Sequence, residues 1–308
     1  MNKVALKKAK AAEFGMRVDN PSLIDTHRHT PKAEGGDYTP ENYTIMTPPD
    51  HMRQHGNYRE REEWMEVLKA AVDQRRQVIN LHNKANNQLL AYKRRSDHLD
   101  QATVKWLEEQ AKHLKKELGK FNRRVEKAVK DYGKVDKLAE VALNVHGIGP
   151  LTIAQCLVYI DLGKARHASS LWSYVGLDKP SHERYAKGEA GGGNKTLRTA
   201  LYTMADSQIK SRGPYREVYD RTKARLEQSE KITSSRNTQG KLVEVAWKDA
   251  KPCHRHGAAI RAMVKHFLAD YWFVGRELFG LENGPCYAES QLGKTHKTVS
   301  PRERGWDW

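Results

Sequence analysis

Hydrophobic and polar positions along this chain alternate almost everywhere with a helical period. Between Tyr58 and Arg95, apolar or small residues recur at Trp64, Leu68, Ala71, Val78, Ala85, Leu89 and Tyr92, and polar Arg75 and His82 interrupt the seam. Ser96 to Asp100 breaks the pattern, and Asp100 is placed to cap the next helix. The second seam is cleaner: Leu107, Ala111, Leu114, Leu118, Phe121, Val125, Ala128 and Tyr132 follow alternating steps of four and three. Such a seam must be buried against another helix, either the preceding one as an antiparallel hairpin or a second chain as a coiled coil. Gly133 ends that helix, and Asp136 or Lys137 starts the next. Further helices are predicted with Ser169 or Ser170 as cap ahead of Leu171 to Val175, from Asn194 as cap through Lys210, from Pro214 to about Gln228, and from about His256 to Leu278. Ser229 to Thr238 reads as a loop.

One break between helices carries more information than the others. Leu138, Val141, Ala142 and Val145 keep a helical spacing up to Val145-His146-Gly147-Ile148-Gly149-Pro150-Leu151-Thr152, and an apolar run from Ile153 to Leu162 follows. Glycine at Gly147 and Gly149 permits backbone angles closed to other residues, and Pro150 suits a first helical turn. A turn of this kind leaves backbone N–H groups at a helix N-terminus, where a phosphate can bind. The pattern matches the helix-hairpin-helix, a module that grips nucleic-acid backbone; an ordinary tight turn between packed helices would read the same way.

The predicted fold is all-α: a long coiled-coil-like helical hairpin, then a compact helical domain containing a helix-hairpin-helix. Residues 1–57, rich in Pro, Asp, Asn, Thr and His without periodicity, read as a largely disordered arm. Residues 58–133 hold the basic long helices, 134–281 the compact domain, and 282–308 a tail.

Charge shifts the balance between the two readings of the turn. The 308 residues carry 54 Lys and Arg against 38 Asp and Glu, a formal net charge of +16. A chain this basic most often meets a polyanion, and nucleic acid is the commonest. Lys112, Lys115, Lys116, Lys120, Arg123 and Arg124 crowd the outside of the second long helix, as a solvated face or as a track for phosphates. A mean hydropathy of −0.83 with 38% hydrophobic residues is low for a compact globule, so part of the chain is expected to be extended helix or tail. No apolar run reaches membrane-spanning length, and the N-terminus lacks a signal-peptide core, so a cytoplasmic, nucleoid-associated location is expected with no membrane partner. Cys156, Cys253 and Cys286 are too far apart for a disulfide framework or a zinc cluster.

Three pieces downstream of the turn give it company. Tyr174-Val175-Gly176-Leu177-Asp178-Lys179-Pro180 is followed by a glycine-rich loop, Gly188 to Gly193. Next come Gly193-Asn194-Lys195-Thr196-Leu197-Arg198-Thr199-Ala200-Leu201-Tyr202 and then Tyr215-Arg216-Glu217-Val218-Tyr219. In this order the motifs resemble the C-terminal domain of the RNA-guided insertion-sequence transposases that carry a DEDD RuvC-like domain and a catalytic serine. The resemblance covers roughly residues 60–280 and is sharpest from Val145 to Tyr219.

What it implies is DNA transposition or recombination, with DNA, branched or linear, as partner; structured RNA is a partner in the architectural alternative, and the seams of the long helices offer a homo-oligomer through residues 64–132. The family's metal-binding carboxylates belong to an N-terminal nuclease domain that residues 1–57 do not resemble. The expectation is therefore no cofactor in this chain, with Mg²⁺ entering only with a partner nuclease domain. The family's serine falls on Ser181, which here precedes His182 rather than a glycine, so Ser181 is the candidate nucleophile or else a turn cap.

The candidate DNA-binding residues are Gly147, Ile148, Gly149, Thr152, Arg184, Lys187, Asn194, Lys195 and Arg198. Lys195 and Arg198 stand in a first helical turn, where cations oppose the helix dipole unless an anion sits there. The alternative to an enzyme is a non-catalytic architectural binder of DNA or RNA. Two further motifs lack their context. Asp25-Thr26-His27-Arg28-His29 opens metal-dependent amidohydrolases but needs a β/α barrel. Cys253-His254-Arg255-His256 has no second ligand pair at zinc-finger spacing and reads as a polar helix start.

Overall fold

A computed structural model describes residues 25–30, 42–47, 50–51, 54, 60–95, 100–178, 193–237, 239–283 and 299–308. These residues form a mainly α-helical fold with two small antiparallel hairpins. In chain order the elements are β1 (Asp25–Arg28), β2 (Tyr43–Met46), α1 (Arg61–Arg95), α2 (Gln101–Tyr132), α3 (Lys137–Asn144) and α4 (Pro150–Tyr159). They continue with α5 (Ala168–Tyr174), α6 (Lys195–Ser211), α7 (Arg216–Glu227), β3 (Ile232–Arg236), β4 (Leu242–Ala246) and α8 (Pro252–Leu278). The chain divides into two compact units, residues 1–65 with 134–136, and residues 66–133 with 137–308.

In the first unit β1 pairs with β2 in the register Asp25↔Met46 to Arg28↔Tyr43, inside the segment expected to be a featureless arm. Arg28 Nε donates to the Tyr43 hydroxyl at 2.9 Å, and His29 Nε2 lies 2.6 Å from Thr44 Oγ1. The Asp-x-His-x-His motif is thus a strand of a two-stranded ribbon. In the same unit Arg61 Nε donates to Asp136 at 2.7 Å.

The second unit holds the core. The long helices fold back antiparallel: Arg75 Nε meets Asn122 Oδ1 at 2.7 Å near one end, and Lys93 meets Glu108 at 2.6 Å near the other. Arg75, which breaks the apolar seam, is thus a partner across it. Asp100 caps α2, accepting from the amides of Ala102 and Thr103. Val125, Ala128, Val129 and Tyr132 bury the end of α2, which packs on α3 and α4.

Helix α8 is the central element, contacting α3, α5, α6 and α7. Its stripe of Met263, Val264, Phe267, Leu268, Tyr271 and Val274 is fully or almost fully buried. Gly275 allows close approach, since a Cβ there would stand 2.4 Å from Leu162 Cδ1. Trp272 Nε1 donates to Ala165 O at 2.6 Å and Arg276 Nη1 to Leu162 O at 2.9 Å, which pins the α4–α5 loop to α8.

Three expectations are corrected. The stretch expected as a loop contains β3, paired with β4 in the register Ile232↔Ala246 to Arg236↔Leu242. Its alternation is inverted, with Thr233 and Ser235 buried and Ile232 exposed, so an apolar-in, polar-out pattern never appears in the sequence. Helix α5 is capped at His167, without a side-chain hydrogen bond, so Ser169 and Ser170 lie inside it. Residues 299–308, within the expected tail, dock: Trp306 is fully buried, and Arg304 Nη1 reaches both Asp270 oxygens at 3.0 and 2.8 Å. Trp308 also packs on Phe273 of α8, with ring centroids 6.3 Å apart, and isolated anchors of this kind carry no period to read.

Candidate functional site

The turn from Val145 to Leu151 joins α3 to α4. Its backbone is closed by Ile148 N donating to Val145 O at 3.2 Å and Thr152 N to Gly149 O at 3.0 Å. The N–H groups of Gly147, Gly149 and Leu151 meet no acceptor among the described residues. Gly149 caps α4 with no side-chain bond and Pro150 takes the first helical position, so the helix start keeps its partial positive charge toward solvent.

The two glycines do different work. Gly147 has φ +76°, and a Cβ there would come within 2.6 Å of Ser211 Oγ and 2.7 Å of Gln208 Nε2. Gly149 has φ −77° and nothing within 4 Å, so neither its conformation nor its packing requires glycine. This corrects the expectation that both glycines are needed for backbone angles. Ile148 and Thr152 are 6% exposed each, so the turn offers its backbone outward and keeps those two side chains in the core.

The fully buried Gln208 holds the turn in place. Its Nε2 donates to His146 O at 2.7 Å, and its Oε1 accepts from Tyr215 N at 3.1 Å. His146 Nε2 lies 3.2 Å from Ser211 O, and exposed Arg212 follows in the left-handed conformation at φ 54°, the one described non-glycine residue with positive φ. A left-handed arginine costs roughly 1 kcal/mol, which the Gly213 N to Gln208 O bond and the Gln208 knot hold in place.

The residues predicted on α6 gather at its other end. Lys195 and Gln208 are separated by about 20 Å of helix at 1.5 Å per residue. The turn and the Asn194–Arg198 segment are therefore two sites. Asn194 Oδ1 accepts from Leu197 N at 2.9 Å, its Nδ2 donates to the Tyr174 hydroxyl at 3.1 Å, and its own N donates to Tyr174 O at 2.7 Å. Arg198 Nη1 donates to Gly176 O at 3.2 Å. Gly193, at φ +64°, sits so close to the end of α5 that a Cβ would be 2.5 Å from Gly176 N. The motif is a clasp closing α6 on α5, and its one exposed cation is Lys195. Ser181, Arg184 and Lys187 lie outside the described residues.

Two cations of α8, unforeseen in the sequence, meet α5 and the residues just after it. Arg261 Nη2 donates to Leu177 O at 3.1 Å. Lys265 Nζ stands 5.0 Å from the Trp172 ring centroid, and burial first and Arg261 second push its pKa below that of an ordinary lysine. Arg261 lies 84 residues from its partner, so no local spacing connects them. At the start of α8, His254 stacks on Trp247 at 4.8 Å and His256 Nδ1 lies 2.8 Å from the Tyr219 hydroxyl, with Cys253 exposed. Each has its own neighbour rather than a common centre.

Residues 139–220 match the model of the transposase IS116/IS110/IS902 family. The matched stretch begins in α3, includes the turn, the clasp and Gln208, and ends within α7. The chain thus carries a transposase-family segment, in line with the order of motifs read above. No curated protein matches the chain. Among the described residues no helix is long and apolar enough to cross a membrane.

Proposed function

We propose that the chain is a transposase-like DNA-binding protein that acts in transposition or recombination and grips phosphate backbone at the 146–151 turn. The observation that carries this reading is Gly149. It is exposed, has an ordinary φ and open space around it, and lies between two N–H groups that meet no acceptor among the described residues, inside a segment that matches a transposase family. A glycine that the fold does not need is useful where another molecule must approach the backbone. Exposed Arg212 lies beside the turn and would add charge to the phosphate contact.

Gly149→Ala and Gly147→Ala, compared by gel shift and thermal melting, test the reading. Gly149→Ala is expected to stay within about 1 kcal/mol of the parent in stability and to lose DNA affinity. Gly147→Ala is expected to lose stability by clashing with Gln208. Unchanged affinity in a stable Gly149→Ala would overturn the turn as a phosphate grip. The wild-type titration compares a four-way junction with a linear duplex of the same sequence at two salt concentrations, and preference for the junction supports recombination.

A non-catalytic architectural role is the second reading, favoured by the engagement of Asn194 and Arg198 in the α5–α6 clasp rather than toward solvent. Metal-dependent strand cleavage that disappears in Ser181→Ala would decide for the enzyme. The reading includes self-association through residues 64–132, supported by the exposed side chains of Leu81, Leu90 and Trp106 on the long helices.

A further inference from the structure

The two long helices treat their outer faces differently. On α1 the charges of the first half pair locally, Lys69 with Glu66 and Arg76 with Asp73, and Lys93 near its end pairs with Glu108 of α2. On α2, Lys105, Lys112, Lys116, Arg123, Lys127 and Lys130 are all exposed and recur at intervals that sum to whole helical turns. At 100° per residue they fall within roughly 60° of one another, opposite the seam of Ala111, Val125 and Tyr132. They form a ridge about 37 Å long. Lys120, at its margin, pairs with Glu117 at 2.7 Å, and no other ridge cation has an ion-pair partner among the described residues. Like charges at i,i+4, as in Lys112–Lys116 and Arg123–Lys127, repel one another. Glu109, four residues after Lys105 and three before Lys112, is exposed on the same face, and from Lys112 to Lys130 the face carries no acid to relieve that repulsion.

We propose that this ridge of α2 is a rail for the phosphate backbone of a nucleic-acid duplex, separate from the 146–151 turn and outside the family-matched segment. A polyanion of regular charge spacing is the occupant that complements a straight line of exposed cations. The ridge length corresponds to about eleven base pairs at 3.4 Å each. Ala111, Val125, Ala128, Val129 and Tyr132 of α2 are buried, and exposed Trp106 lies beside the ridge rather than within it. The proposal rests on the nucleic-acid reading above but on different residues.

The test is the salt dependence of binding of the full chain to a 30-base-pair duplex. In the variant Lys112→Gln/Lys116→Gln/Arg123→Gln/Lys127→Gln, the slope of log K against log salt is expected to fall in magnitude by about 3 to 4, with an unchanged melting temperature. Replacing the three lysines by arginine instead is expected to keep the parental slope. Truncating the duplex to eight base pairs is expected to shrink the difference between parent and variant. An unchanged slope in the glutamine variant, while Arg212→Gln still lowers it, overturns the rail and leaves the turn standing. A parent whose binding does not fall with salt overturns both. Binding to phosphatidylserine vesicles that is lost in the variant, with duplex binding intact, assigns the ridge to a lipid surface and overturns the proposal.

Discussion

At the scale of single residues, the structure separates glycines that fold the chain from one that the fold can spare. Gly193 is of the first kind, because its positive φ and its contact with the Val175–Gly176 backbone leave a methyl group nowhere to go. Gly193→Ala is expected to cost about 2–4 kcal/mol, combining left-handed strain and overpacking, read as a fall in melting temperature. His266 provides a pH-dependent counterpart. Burial first, then Arg304 and Arg221, lower its pKa from 6.5 to about 4. Below pH 6.5 the unfolded chain protonates this imidazole and the folded chain does not, so stability falls as pH drops from 6.5 toward 4 and levels off below. His266→Gln is expected to flatten that part of the stability–pH curve, by up to ~3 kcal/mol. An unaltered curve would show the histidine solvated. Neither residue advertises this in sequence. The Gly193 positive φ comes from a partner seventeen residues upstream, and the His266 environment from Arg304 and Arg221 on other segments.

At the scale of elements, hydrophobic period was a good guide to long helices and a poor one to short pieces. The N-cap at Asp100, the end at Gly133, the Pro150 start and the Asn194 cap were legible because each is settled by side-chain chemistry within four residues. The β3–β4 ribbon was not, because its inward residues Thr233 and Ser235 are polar, and Thr233 Oγ1 meets His254 Nε2 at 3.3 Å instead of an apolar core. The C-terminal segment was not either. It is held by a chain of buried hydrogen bonds: Trp306 Nε1 to the Tyr215 hydroxyl at 2.7 Å, and that hydroxyl to Asp270 at 2.7 Å. Burial raises the pKa of Asp270, and Arg304 opposes that rise. Trp306→Ala is expected to cost 3–5 kcal/mol, on the order of other buried tryptophan truncations, measured by denaturant unfolding. A change below about 1 kcal/mol would show the segment to be loosely attached.

At the scale of the whole chain, the net charge of +16 is spread along the sequence, and α1 and α2 carry equal shares of it, 8 cations against 4 acids and 9 against 5. Polar contacts, Arg75 with Asn122 and Lys93 with Glu108, join α1 and α2 within one chain, and the exposed Leu81, Leu90 and Trp106 are available to a second copy. Sedimentation velocity is expected to show a concentration-dependent dimer that weakens in Leu81→Gln/Trp106→Gln. A monomer at all concentrations would confine the seams to intrachain packing.

The sequence by itself determined the mainly helical class, most helix boundaries and the position of the glycine turn, because period and capping are local and act through neighbours in the chain. Only the tertiary structure decided which candidates belong together. It buried Ile148 and Thr152, drew Asn194 and Arg198 into a clasp, set the turn about 20 Å from Lys195 along α6, and brought Arg261 and Lys265 of α8 to the end of α5. These placements depend on how helices pack rather than where they begin. Packing joins residues that no spacing in the chain relates.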